Sequence, residues 1–280
     1  MTDPIRLGIF GWPVAHSKSP QMHESAARAL GIALRYERFA VEPADLAEAV
    51  RRKHAEGIDG YNLTVPHKQA IMALLDEVAP AAAAIGAVNT VVHSDDRYVG
   101  HNTDAPGFVR SLIEAGVTVP DSEVAILGAG GAARAAVVGL ADAGSKHIVV
   151  LSRRPEQSEA LISSLQAHVD CGLGAAPLSE AAEHFGRATL LVQATSATLG
   201  SNRGAQAFAD SLPIESLPSN AAVVDMVYDP LQTALLERAA KRGLITVDGL
   251  GMLLHQGAIA FEMWTGFEAP IDVMRAALDA

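Results

Sequence analysis

The stretch Val124–Ala133, VAILGAGGAA, decides how this chain is read. An apolar run of strand type ends in Gly128-Ala129-Gly130-Gly131-Ala132-Ala133, a G-x-G-x-x-A turn, and a helical pattern follows. Each small residue has a steric task. Gly128 makes the tight turn, Gly130 lets backbone approach a pyrophosphate, and Ala133 allows the helix to pack close to the strand. The pyrophosphate then sits on the free N–H groups at the helix N-terminus. Tight turns also use glycine for conformational reasons alone, so the strand before and the helix after carry the reading of a bound dinucleotide.

The next strand, His147–Leu151, runs into Ser152-Arg153-Arg154-Pro155. An NAD site places Asp or Glu about 20 residues past the glycines to bind the ribose 2′-hydroxyl. Here two guanidiniums stand instead, and the first acid is Glu156. The permanently charged fork of arginine suits a 2′-phosphate, so the local chemistry favours NADP. A solvated turn in which Pro155 merely opens a helix would use the same residues.

Outward from this turn, β-type runs alternate with helical patterns. Glu123–Leu127, His147–Leu151, Thr189–Ala194, Ala222–Val227 and Leu244–Val247 form one series of expected strands. Arg6–Phe10, Tyr36–Val41, Ile58–Val65 and Ala87–His93 form another, separated by expected helices over Pro20–Leu30, Pro43–Ala55 and Pro66–Val78. In the last of these, Ile71, Leu74, Leu75 and Val78 have the spacing of a core-facing stripe. Such alternation predicts an α/β fold with parallel sheets covered by helices, and the segment 102–116 reads as a joint between the series.

The 280 residues leave room for a large core or two modest ones. With 49% hydrophobic and 19% charged residues the chain is too apolar to be disordered. The net charge of −11 argues against a nucleic-acid binder. One cysteine, Cys171, rules out an internal disulfide framework and speaks against a cysteine zinc site, and no histidine spacing suggests a metal. No apolar run is long enough to span a bilayer and the start does not resemble a signal peptide, so a cytoplasmic protein without a membrane partner is expected. Acids are missing from Pro4–His23, Tyr61–Leu75, Val78–Ser94, Val124–Ala141 and Ala143–Pro155. Anions received there would explain the gaps, and so would simple burial.

Two of these gaps hold further motifs. In Gly11–Pro20, GWPVAHSKSP, Ser17 and Ser19 lie before a helix, where two hydroxyls can cradle a carboxylate or Ser19 can act as an N-cap. In Tyr61–Lys68, YNLTVPHK, Lys68 is expected in the first turn of a helix, where the macrodipole disfavours a cation. A solvated lysine would tolerate the same place.

Taken in order, Gly11–Pro20, Asn62–Lys68 (NLTVPHK), Gly86–Thr90 (GAVNT), Asn102–Asp104, Gly128–Ala133, Asp225–Pro230 (DMVYDP) and Asp248–Gln256 (DGLGMLLHQ) resemble the shikimate dehydrogenase family, within the shikimate/quinate superfamily. The resemblance runs through nearly the whole chain. It implies an N-terminal α/β substrate domain over residues 1–104 with 249–280, a Rossmann-type NADP domain over 105–248, and a deep cleft between them. It implies Lys68 and Asp104 as the catalytic pair. Ser17 and Ser19 would hold the substrate carboxylate with Tyr228 nearby, and Thr64, Asn89, Asp104 and Gln256 the ring hydroxyls. Cofactor contacts would come from Gly128, Ala129, Gly130, Gly131, Ala132, Ser152, Arg153, Arg154 and Thr195, with Met226 and Gly249 at the nicotinamide end.

Two segments depart from the family pattern. Its usual Asn-Arg-Thr is Ser152-Arg153-Arg154 here, and its Asn-Ala-Thr-Ser-x-Gly-Met is replaced within Gln193–Ser201. The implied activity is reversible reduction of 3-dehydroshikimate to shikimate in aromatic amino-acid (chorismate) biosynthesis, by a monomer or homodimer. Two alternatives are a quinate/shikimate dehydrogenase using NAD or both cofactors, and a non-catalytic ligand sensor on the same fold. Retention of Lys68 and Asp104 speaks against the sensor.

Overall fold

The computed structural model describes residues 3–200 and 203–279. It separates into two compact units. One holds the chain up to Asp104 and again from Leu254 onward, the other Ala105–Leu253.

The first unit is built on strands β1 (Ile5–Gly11), β2 (Leu34–Ala40), β3 (Gly60–Leu63), β4 (Glu77–Val78), β5 (Thr90–Ser94) and β6 (Arg97–His101). They form one sheet in the order β2-β1-β3-β5-β6-β4. The sheet is mixed, because β5 runs antiparallel to both β3 and β6. Helices α1 (Ser19–Ala29), α2 (Leu46–Ala55) and α3 (Pro80–Ile85) connect these strands. Gly86 ends α3 in the left-handed region (φ 70°), which glycine adopts without steric cost. The core gathers Phe10, Ile58, Tyr61, Leu63, Ile71, Val88 and Val91.

The second unit follows α4 (Asp104–Glu114). Its strands are β7 (Glu123–Leu127), β8 (His147–Ser152), β9 (Gly172–Pro177), β10 (Leu190–Gln193), β11 (Ala222–Asp225) and β12 (Ile245–Val247). They form a sheet in the order β12-β11-β10-β7-β8-β9, parallel throughout. Strand order reverses between β7 and β10, and ligands of open α/β sheets bind at such a switch point. Helices α5 (Gly131–Asp142), α6 (Pro155–Leu165), α7 (Ala181–Phe185), α8 (Arg203–Ser211) and α9 (Ala234–Lys241) accompany it. Helices α10 (Leu250–Thr265) and α11 (Ile271–Asp279) complete the chain's described elements.

Three expectations are corrected. The first sheet is mixed where a parallel one was expected, since the β5–β6 hairpin packs back into it. Strands β4, β6 and β9 have no counterpart among the expected ones. They are short, or rich in Gly and Ala, and carry little periodic signal. Most consequential, no α-helix spans 66–78. Ala70–Leu74 forms a short 3₁₀ helix, Leu75 is extended, and Glu77–Val78 joins the sheet. The reason is a long-range pairing: the Lys68 carbonyl accepts the Val88 N–H at 2.8 Å instead of one from a following helical turn. Lys68 therefore lies in a turn, and the helix-dipole argument does not apply to it.

At the centre of the first unit His23 is fully buried and stacks on Tyr36, with ring centroids 4.8 Å apart and planes at 10°. Trp264 meets its edge at 5.2 Å. Neither ring nitrogen has a hydrogen-bond partner among the described residues, and burial drives the pKa down to about 3. A group that stays neutral in the folded state and charges in the unfolded one stabilises the fold above pH 6.5. That stability is lost as pH falls toward 3, by about 1.4 kcal/mol per pH unit. His23→Phe keeps the stack and removes the titration. Between pH 7 and pH 5, urea unfolding should show a loss smaller by about 2 kcal/mol in the variant than in the parent. Equal losses would remove His23 as the source.

Candidate active site

Asn89 is the hub of a buried polar lattice in the first unit. It follows Gly86-Ala87-Val88 immediately before β5 and is 2% exposed. Its Nδ2 donates to Asp104 Oδ1 (2.8 Å), Thr103 Oγ1 (2.9 Å) and Gln256 Oε1 (3.3 Å). Its Oδ1 accepts the Thr103 N–H at 2.7 Å. The opposite oxygen of Asp104 accepts from Lys68 Nζ at 2.6 Å. The carboxylate is nearly buried, with its side chain 5% exposed against 18% for Lys68, so the lysine is the more open side chain of the pair. A buried ion pair is tolerated only when its remaining hydrogen-bonding capacity is filled, and Asn89 does this for Asp104.

A second layer holds the hub. Asn62 Nδ2 donates to the Asn89 carbonyl and to Thr90 Oγ1, both at 3.0 Å, and Asn62 Oδ1 accepts from the Tyr36 hydroxyl at 2.6 Å. Burial raises the Tyr36 pKa, while the Ser19 hydroxyl and the Arg38 charge pull it down. Ser19 is buried at the start of α1 and Ser17 is half-buried before it. Ser19 is not the N-cap. Lys18 occupies that position, and the Ser17 hydroxyl accepts the Ser19 N–H at 3.3 Å. Thr64 is half-buried beyond β3, with its N–H on the Phe10 carbonyl. Ser17, Ser19, Thr64, Lys68, Asn89, Asp104 and Gln256 all belong to the first unit, while Tyr228, Met226 and Gly249 belong to the second. Burial, then the neighbouring Asp229, raises the Tyr228 pKa. Asn62, Thr90, Thr103 and Tyr36 carry this lattice without having been singled out from sequence. Asn62, Thr90 and Thr103 lie inside the motifs named from sequence, but Tyr36 had no such signal.

In the second unit, Gly128 has φ 108°, and an added Cβ would come within 2.6 Å of Thr195 Cγ2. The first glycine thus brings the ends of β7 and β10 together. At Gly130 an added Cβ would meet nothing within 4 Å, leaving open space beside the start of α5. Ala133 is fully buried, as close helix–strand packing requires. Ser152 is turned inward, its hydroxyl on the Arg154 carbonyl (2.6 Å) and on Ser158 Oγ (3.1 Å), so it braces the turn. Arg153 and Arg154 are exposed, and their side chains bind nothing among the described residues. Open space at Gly130 and two free guanidiniums fit a phosphate-rich dinucleotide.

Gln193 is fully buried. Its Oε1 accepts the Thr195 N–H and hydroxyl, both at 2.9 Å, and its Nε2 donates to Thr198 Oγ1 at 3.0 Å. Thr198 donates to Asp225 Oδ1 at 3.1 Å, and Asp225 also accepts from Thr233 Oγ1 (2.8 Å) and Val227 N (3.1 Å). Burial raises the Asp225 pKa, and these hydrogen bonds oppose it. Gly249 lies against this turn: an added Cβ would meet the Met226 carbonyl oxygen. Ser201, the end of the departing segment, lies outside the described residues. No group of three His, Cys, Asp or Glu side chains gathers as a metal site among the described residues, nor is any helix there long and apolar enough to cross a membrane.

A parallel sheet with a glycine turn at its switch point, joined in one chain to a lysine–aspartate pair, defines a class: dehydrogenases linked to a nicotinamide dinucleotide. Comparison with known proteins narrows it. Residues 9–91 match the model of the shikimate dehydrogenase substrate binding domain, 112–207 that of shikimate/quinate 5-dehydrogenase, and 249–278 that of the shikimate 5′-dehydrogenase C-terminal domain. Shikimate dehydrogenase (NADP(+)) of Symbiobacterium thermophilum is 43% identical over 277 residues, covering 97% of this chain and 92% of that protein. Its counterpart in Geobacter metallireducens is also 43% identical, covering 96% and 94%. Shikimate 5-dehydrogenase of Thermus thermophilus, solved with NADP(H) and shikimate, is 39% identical with TM-score 0.85, covering 98% of each chain. Quinate dehydrogenase of Corynebacterium glutamicum, solved with NAD, is 31% identical with TM-score 0.89, covering 99% of each. The chain belongs to the shikimate dehydrogenase family.

The polar lattice makes a stability prediction. Asn62→Leu keeps the side-chain volume but leaves the Tyr36 hydroxyl without its acceptor and Thr90 and the Asn89 carbonyl without their donor. Urea unfolding should show a loss of about 2–4 kcal/mol, the range for unpaired buried polar groups. A loss under about 0.5 kcal/mol would show that the lattice does not depend on Asn62.

Proposed function

We propose that this protein is an NADP-dependent shikimate dehydrogenase that reversibly reduces 3-dehydroshikimate to shikimate in the cytoplasm. The observation that carries the reading is the Lys68–Asp104 pair at 2.6 Å, with the carboxylate locked by Asn89 and the lysine the more open side chain. The unit around it is the substrate domain, and the unit with the glycine turn is the cofactor domain. The cofactor, when bound, supplies or accepts the hydride at the ring carbon.

The chain's own residues do the rest. Reduction of a ring ketone places negative charge on its oxygen. The Lys68 ammonium stabilises that charge and delivers the proton, and in the reverse direction Lys68 takes it back. Asp104 fixes Nζ in direction and accepts from a ring hydroxyl on a lone pair left free by Lys68 and Asn89. Asn89 and Gln256 orient further hydroxyls with Thr64, Ser17 and Ser19 seat the carboxylate, and Tyr228 contacts the same acid. Gly128–Ala132 receive the pyrophosphate, Thr195, Met226 and Gly249 line the nicotinamide end, and Arg153 and Arg154 read the 2′-phosphate. Ser152 holds the arginine turn through the Arg154 carbonyl.

Lys68→Ala should lower kcat about 10²–10⁴-fold with a modest change in KM. Near-parental turnover in a spectrophotometric assay would take Lys68 out of the mechanism. Replacing Arg153 and Arg154 together with Ala should lower kcat/KM with NADPH about 100-fold and leave that with NADH within about threefold. Equal losses on both cofactors would refute their role. The likeness to quinate dehydrogenase keeps quinate oxidation as a second reading, and the same assay with quinate decides it.

A further inference from the structure

Arg38 stands on β2, the edge strand of the first sheet, and reaches to the loop between β1 and α1. Its Nε and Nη2 both donate to the carbonyl oxygen of Ser17, at 3.1 and 2.6 Å. Ser17 is held at two other points as well. Its N–H donates to the Val14 carbonyl at 3.0 Å, and its hydroxyl accepts the Ser19 N–H at 3.3 Å. The residue is thereby fixed at amide, carbonyl and hydroxyl, with Arg38 supplying the only side chain among these partners.

Charge gives Arg38 a second part. Pro4–His23 contains no acid, yet a substrate carboxylate resting on the hydroxyls of Ser17 and Ser19 would bring a full negative charge to neutral donors. Lys18, between the two serines, is turned away: its Nζ donates to the Leu278 carbonyl at 2.6 Å. Arg38 acts on this side of the lattice, since its charge also bears on the Tyr36 phenol beside Ser19.

We propose that Arg38 is a positioning residue for the substrate carboxylate: it fixes the Ser17 loop through one carbonyl and supplies the positive potential that a cradle of hydroxyls lacks. This rests on the reading of Ser17 and Ser19 as the carboxylate seat. The guanidinium is exposed, so its contribution is moderate and screened by salt.

The test is steady-state oxidation of shikimate and of its neutral methyl ester by the full chain, with Arg38→Met, Arg38→Lys and Ser17→Ala. Arg38→Met should raise KM for shikimate about 5–30-fold with kcat within about twofold, and raise KM for the ester less. Arg38→Lys should recover part of the preference for acid over ester, because it restores charge without the fork. Added salt should raise KM for shikimate in the parent and leave the Met variant nearly unmoved. An unchanged KM in Arg38→Met beside a raised one in Ser17→Ala overturns the proposal and leaves the seat intact. If neither variant moves KM, the seat reading itself falls. Equal losses on acid and ester, indifferent to salt, overturn it too and leave Arg38 a structural brace.

Discussion

The hydrogen-bonding capacity of one carboxamide limits the buried polar lattice of the first unit. Asn89 has two N–H donors and two acceptor lone pairs, and three acceptors, on Thr103, Asp104 and Gln256, lie within reach of its nitrogen. It therefore joins the segment before β5, the turn before α4 and the helix α10 into one arrangement. Asn89 holds one oxygen of Asp104 while Lys68 takes the other. Asn62 and Tyr36 extend the constraint outward to β2.

Much of this was legible from sequence, for different reasons in the two halves. Val124–Ala133 combines an apolar strand with steric demands that only Gly and Ala meet, so the strand, the turn and the buried Ala133 could all be read locally. All five strands expected in that half occur, with β9 added. The first half was harder. Lys68 and Asp104 stood out through motifs whose meaning came from the family resemblance. Their surroundings are made of side chains from positions 36, 62, 90 and 103, brought together by sheet pairing that no local pattern encodes. The expected helix over 66–78 failed on one such pairing, the bond from Val88 N–H to the Lys68 carbonyl. Apolar spacing cannot reveal a long-range backbone partner.

Gln193 anchors a buried chain of hydrogen bonds at the end of β10. Its carboxamide oxygen holds Thr195 by its N–H and hydroxyl, and its amide end reaches Thr198. Thr198 passes the connection to Asp225, which also gathers Val227 and the cap of α9. The segments after β10 and β11 are therefore tied by buried polar groups.

Helix α11 closes on α1 through Gln21 and Lys18, which donate to the Ala277 and Leu278 carbonyls, and Trp264 of α10 donates to the Val91 carbonyl. These partners lie far apart along the chain. While the ribosome is still making residues 105–253, β1–β6 have neither Gln256 nor these clasps. At about 5–20 residues per second, that is a wait of roughly 8–30 s. The inserted unit, continuous in sequence, has its full set of strands before the first unit has its last helices. The unit that carries Lys68 and Asp104 is the last to be completed.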